Sequence, residues 1–264
     1  MILGSLALIQ FPLAHALPPN VCIWDGTNNN WESTADWTCS TGSTHRLPTS
    51  ADEVDINSGT VTVTANENFG NMFLDGGNLI VNCGVTLTGA EDINNDGGGT
   101  VTNKGTITLG EDLNNDAAGT VTNLGTLTVS EDINNQNGGT VTNSGTLAIQ
   151  QDLNNGPGTF TNRGTVTIGE DINNAAGTLT NSGTITVSLA INNGSGTFNN
   201  CGTVNNSGSF SGNAIVTVPS GCLGPTPPPA CPGAAIPEYP LGLPLLAILT
   251  IIGYGMIRRR ITKK

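Results

Sequence analysis

EDINNDGGGTVTNKGTITLG (Glu91–Gly110) runs directly into EDLNNDAAGTVTNLGTLTVS (Glu111–Ser130) and EDINNQNGGTVTNSGTLAIQ (Glu131–Gln150). QDLNNGPGTFTNRGTVTIG (Gln151–Gly169) and EDINNAAGTLTNSGTITVS (Glu170–Ser188) follow. A degenerate copy, LAINNGSGTFNNCGTV, begins at Leu189, and DINSGTVTVT and GGNLIVNCGVTLTG upstream read as irregular forerunners. Repeat lengths of 20, 20, 20, 19 and 19 are too regular for low-complexity sequence. Within each repeat apolar and polar residues alternate, as at Ile93, Val101, Ile107 and Leu109, which is the two-residue period of β-strands. Gly or Asn-Gly breaks each run after three to five residues, leaving three short strands and three corners. Such a unit cannot bury its own apolar face, so successive coils must stack with like strands paired in parallel. The expected fold is all-β: a right-handed parallel β-solenoid of about eight coils, roughly 38 Å long at ~4.8 Å per strand, followed by a C-terminal transmembrane helix.

Composition agrees. Of 264 residues, 36 are Gly, 36 Thr and 33 Asn, together about 40% of the chain, while charged residues make up only 11% and aromatics 4%. A thin column of Val, Ile, Leu and Phe explains the apolar share of 36%. Asn95, Asn115, Asn135, Asn155 and Asn174 recur in one corner, and Asn103, Asn123, Asn143, Asn162 and Asn181 in another. Asn tolerates the left-handed backbone of a tight corner, and stacked amides can bond from coil to coil. Gly105, Gly125, Gly145, Gly164 and Gly183 are expected to supply a positive φ. The position before them (Lys104, Leu124, Ser144, Arg163, Ser182, Cys201) varies so freely that it is expected to face solvent.

Two outward columns are candidate sites. Asp92, Asp112, Asp132, Asp152 and Asp171 should stack one per coil. Like charges about 5 Å apart repel unless solvated or bridged by a hard cation, so the column is either a solvated acidic edge or a Ca²⁺ site, the one cofactor the chain brings to mind. The second is a lattice of Thr pairs: Thr100 and Thr102, Thr120 and Thr122, Thr140 and Thr142, with further pairs on a second face. These ranks resemble those of hyperactive antifreeze proteins, which implies ice binding, although Thr is also a good polar strand former.

The ends set the address. MILGSLALIQFPLAHA (1–16) is an apolar run closing on Ala14-His15-Ala16, the small-residue pattern of a signal cleavage site. A segment with all three Trp (Trp24, Trp31, Trp37) occupies 17–53; it either caps the first coil or offers rings to sugars. Together with LPTSADEVDINSGTVTV it resembles the opening of bacterial and archaeal surface β-helix proteins. The solenoid is assigned to 54–218 and a Pro-rich stalk to 219–237. In 238–264, apolar Leu241–Ile257 precedes Arg258-Arg259-Arg260, long enough to span a bilayer with the basic cluster cytoplasmic. Pro237-Glu238-Tyr239 before that span resembles the PEF-CTERM and PEP-CTERM sorting signals, with Tyr239 where the archaeal pattern has Phe. The resemblance implies export, surface display and a sorting transpeptidase of the archaeosortase or exosortase kind.

The stretch from Leu17 to Ile236 carries a net charge of −16, and only Arg46, Lys104 and Arg163 are basic there. Nothing is present to neutralise phosphates, which excludes nucleic acid. Six Cys in an exported chain imply disulfides: Cys22–Cys39 at one end, and Cys201–Cys222 or Cys222–Cys231 at the other. That leaves one thiol per end for head-to-tail association. Two sequons, Asn193-Gly194-Ser195 and Asn205-Asn206-Ser207, allow glycosylation. No repeat acquires an acid, a base and a nucleophile together. The expectation is a non-enzymatic surface structural or adhesive protein, with a glycan- or Ca²⁺-binding module, or an ice binder, as alternatives.

Overall fold

A computed structural model of the chain describes residues 20–217 apart from 43. It is a parallel β-solenoid of about eight coils, built from three sheets of eleven, ten and eight strands. Each sheet takes one strand per coil, and corresponding repeat positions pair in register. Ile93 pairs with Leu113, Val101 with Val121 and Ile107 with Leu127. Where a repeat shortens from 20 to 19 residues, the deletion falls in a corner and the pairing continues unbroken, Val141 to Phe160 and Leu147 to Val166.

The alternation seen in the sequence is the burial pattern. Val101, Ile107, Leu109, Leu113, Val121 and Ile133 are buried, and the Thr residues that alternate with them face outward. The core continues from Trp24 at one end to Phe198 near the other. A single file of side chains from three narrow sheets fills it, and this is why so few apolar residues suffice.

The ends differ. At the start, Asn20–Trp24 pairs in parallel with Asp52–Asp55 and antiparallel with Trp37–Cys39, while Asn28–Asn30 pairs with Thr60–Val63. The segment assigned as the cap thus also supplies strands to two of the solenoid's sheets, and the boundary drawn after residue 53 falls inside a strand. Trp24, Trp31 and Trp37 are all buried, stacked edge to face with centroids 4.8 and 4.9 Å apart. They close the core, so none is an exposed sugar platform. At the far end the last strands, Phe210–Gly212 and Val216–Thr217, are exposed.

Three expectations are corrected. Gly105, Gly125, Gly145, Gly164 and Gly183 are absent from the positive-φ positions, which include Gly59, Gly98 and Gly138. They are glycine for want of space: a Cβ on Gly145 would run into the Gly125 carbonyl oxygen of the preceding coil, and one on Gly164 into that of Gly145. The ladder Asn residues likewise end strands without left-handed backbone; instead the side chain is needed. Finally, Cys22 and Cys39 form the expected bridge, their Cα atoms 3.9 Å apart, but Cys83 and Cys201 are disulfide-bonded as well. Cys83 is therefore not the spare thiol expected at the N-terminal end.

The signal segment with Ala14 and Ala16, Cys222, Cys231, the stalk, Pro237-Glu238-Tyr239 and the apolar span lie outside the described residues. Among the described residues no helix is long and apolar enough to cross a membrane.

Candidate functional site

The most elaborated surface is the outer face of the eleven-stranded sheet. Each repeat contributes Asp-(Ile/Leu)-Asn-Asn to it. The aliphatic residue and the second Asn point inward, so the Asp and the first Asn point out. The outward Asn residues form a rank absent from the sequence-based candidates. Asn114 donates to Asn94 Oδ1, Asn134 to Asn114, Asn154 to Asn134 and Asn173 to Asn154, each at 2.9 Å. Its only sequence signal is the doubled Asn of every repeat.

The Asp column runs alongside, and its carboxylates are engaged in hydrogen bonds from coil to coil. Asp92 Oδ1 accepts the backbone N–H of Asp112 at 2.7 Å; Asp112, Asp132 and Asp152 accept those of Asp132, Asp152 and Asp171 at 2.8 Å. Asp171 Oδ1 accepts the N–H of Ala190. The second oxygens of Asp132 and Asp152 face the amides of Asn154 and Asn173 at 3.3 and 3.2 Å. These half-buried carboxylates stitch each corner to the next, which a simple solvated edge would not do. Among the described residues no group of three or more His, Cys, Asp or Glu is arranged to hold a metal ion.

Acids flank the Asn rank on its other side too. Asp96 has its pKa raised by burial and by the charges of Asp116 and Asp75, and Asp55 by burial and Asp75. At the exposed corner, Glu111 is raised by desolvation and by Asp92, Glu91, Glu131 and Asp112. Between the rank and this second column runs a groove of about 390 Å³, lined by Asn94, Asp96, Asn114, Asp116, Asn134 and Gln136. Its walls are hydrogen-bonding and acidic, suited to a neutral polyol or a cation and unsuited to an anion.

The other two sheets present threonine. Thr100, Thr120 and Thr140 align across the ten-stranded sheet, as do Thr102, Thr122 and Thr142. The eight-stranded sheet repeats the pattern from Thr106 and Thr108 onward, broken by Ala148.

The inner Asn columns are structural. Asn95, Asn115, Asn135, Asn155 and Asn174 are fully buried, as are Asn103, Asn123, Asn143, Asn162 and Asn181. Each donates to the Asn one coil on, as in Asn95 to Asn115 and Asn103 to Asn123, both at 2.8 Å. The sequons divide. Asn193 is buried and accepts from Asn174, so the folded chain withholds it, whereas Asn205 is exposed.

One ion pair was not foreseen. Arg46 grips buried Asp52 with both guanidinium ends, at 2.7 and 2.6 Å, and Thr49 adds its backbone N–H and hydroxyl, each at 2.7 Å. Burial alone would lift the Asp52 carboxyl; the four donors overcome it and hold its pKa at about 2. This clamp fixes the loop that leads from the Trp cap into the stack.

The site and fold define a repetitive, asparagine-laddered β-solenoid with an acidic outer face. Comparison with protein families, curated proteins and solved structures finds no match.

Proposed function

We propose that this chain is a non-enzymatic structural or adhesive protein of the cell surface, exported and held or sorted at its C-terminus. The observation that supports it is the monotony of the outer faces. Asn, Asp and Thr ranks repeat coil after coil, and no coil departs from the others to gather an acid, a base and a nucleophile. Repetition of this kind provides length and many equal weak contacts, as a scaffold or adhesin requires. The test is antibody labelling and protease shaving of intact cells making the full chain. Surface labelling without permeabilisation is expected; labelling only after permeabilisation would reject the proposal.

The Asn–Asp groove favours a second reading, a carbohydrate-binding surface module. Dense hydrogen-bonding groups at one-coil spacing match the repeating hydroxyls of a glycan. A glycan array probed with the full chain separates the two readings: a saturable hit weakened by Asn114→Ala supports binding, and a blank array leaves the scaffold. The Thr ranks carry the ice-binding alternative, and a thermal-hysteresis measurement decides it.

A further inference from the structure

We infer that two copies of this chain join end to end through the last coil, the edge strands of one pairing with those of the other. Thr203–Asn206, Phe210–Gly212 and Val216–Thr217 are the terminal strands of the eight-, eleven- and ten-stranded sheets. Among the described residues no further strand pairs with them, so each offers backbone N–H and C=O groups to another chain. The core stops at the same level. Phe210 pairs with buried Ile191 and Val204 with buried Ile185. Val216 pairs with Asn199, which sets Ile215 in register with buried Phe198. Phe210 is 43% exposed where Ile191, one coil before it, is 1%, and Val204 and Ile215 are only partly buried. The apolar column thus ends without a lid, and a repeat array needs one.

The opposite end is guarded against such pairing. Trp37–Cys39 closes it in the antiparallel sense, held by the Cys22–Cys39 bridge, and three buried Trp fill the core behind. Glu32 accepts the backbone N–H groups of Thr64 and Ala65 at 2.9 and 2.6 Å, and Asp25 and Asp36 add charge to the same cap. The last coil lacks these devices. Leu189 to Thr217 contains no Asp, Glu, Lys or Arg, whereas each repeat from 91 to 188 begins on one or two acids. Charged side chains are the usual guard of a strand edge. In a chain so acidic, an uncharged end is one that two copies can share without setting carboxylate against carboxylate. The sequence that follows includes Pro219, Pro225, Pro227, Pro228 and Pro229, and proline has no N–H to give a strand edge.

A two-fold axis perpendicular to the stack brings the two ends together as an isologous contact. It sets one edge strand against its own counterpart and exchanges the other two, all in the antiparallel sense. The lid on each core is then the other core: Val204, Phe210 and Ile215 of both copies meet and their apolar area leaves water. Two stacks of about eight coils become one rod of roughly 77 Å at ~4.8 Å per strand, with a Trp cap at each outer end. This accounts for a chain that closes one end of its solenoid and leaves the other open.

Photocrosslinking of the full chain tests this. Phe210 is replaced by p-benzoylphenylalanine in a chain produced together with a differently tagged copy. Irradiation should join residue 210 to residues 189–217 of the other copy, as read by mass spectrometry of the crosslinked peptides. Attachment to residues 20–42 of a second copy, to residues 218–264 of the same chain or to another protein would each overturn the proposal, as would no attachment. Sedimentation equilibrium of the full chain in density-matched detergent should give twice the monomer mass. Phe210→Glu/Val216→Glu sets carboxylates of the two copies against each other and should abolish the dimer with the far-ultraviolet signal of the stack intact, while Thr122→Glu, on a side face, should keep it. A monomeric parent chain, or a folded double variant that stays dimeric, would also overturn it. If the double variant fails to fold, the crosslink in the otherwise unaltered chain decides.

Discussion

Asn103 donates one side-chain N–H to Asn123 Oδ1 at 2.8 Å and the other to the Thr126 carbonyl at 2.7 Å. Its own Oδ1 accepts the N–H of Gly105 at 3.1 Å. One buried amide thus ties a coil to its successor and closes its own corner. The inner ladders donate toward the C-terminus, whereas the outer rank on Asn94 and Asn114 donates toward the N-terminus, so their amide dipoles oppose one another along the stack.

Replacing a rung should be costly. Asn123→Leu removes the partner of Asn103 and the donor to Asn143 and to the Thr146 carbonyl, leaving buried polar groups unsatisfied at about 1–3 kcal/mol each. A loss of about 3–5 kcal/mol in urea denaturation is expected. Outward Thr122→Ala should change stability by less than about 0.5 kcal/mol. Equal effects would mean that the ladder contributes little.

Gly145→Ala separates space from backbone conformation. With no positive φ to relieve, the added methyl meets the Gly125 carbonyl and should destabilise by about 1–3 kcal/mol through overpacking. At Gly138, with φ 87° and open space around it, the same change is strained by conformation alone. A repulsive contact at 145 but not at 138, seen as disrupted coil pairing by amide exchange, would distinguish the causes.

The pH dependence has two opposed windows. Asp52, lowered from 3.8 to about 2, adds stability that is present above its unfolded pKa and lost as pH falls from about 4 through 2; the drop corresponds to about 2 kcal/mol. Glu53, Asp55, Glu67 and Asp96 are raised, chiefly by burial and then by neighbouring charge. They destabilise at neutral pH and are relieved on protonation. Melting temperature should therefore rise from pH 7 toward about pH 4 and fall below it, and added salt at pH 7 should also raise it. In Arg46→Ala the acid-side fall should shrink.

Calcium should leave the melting midpoint unchanged relative to EGTA. The Oδ1 atoms of Asp92, Asp112, Asp132 and Asp152 already accept backbone N–H groups, so ion binding would break the bonds that join the corners. An upward shift would show that the column exchanges those bonds for a metal.

The Trp cap offers its own probe, because the only three Trp lie in it. Loss of Cys22–Cys39, which closes a loop with a sequence separation of 17, should cost about 3 kcal/mol. In Cys22→Ser/Cys39→Ser, fluorescence should report cap opening at lower urea than the far-ultraviolet signal of the stack. Coincident transitions would show that cap and coils melt together.

The twenty-residue period, the alternation of Ile93, Val101 and Ile107 with Thr, and the two Asn columns determined by themselves that the chain stacks as a parallel solenoid. A period states which residues are equivalent, and equivalent residues of a stacked repeat must be neighbours. Only the tertiary structure decided what neighbouring coils do to each other. The glycines are required by a carbonyl in the preceding coil, the Asp column is consumed by backbone N–H groups in the following one, and Arg46 finds Asp52 across the loop into the stack. These contacts depend on the distance between coils and on corner geometry. A repeat read one residue at a time contains neither.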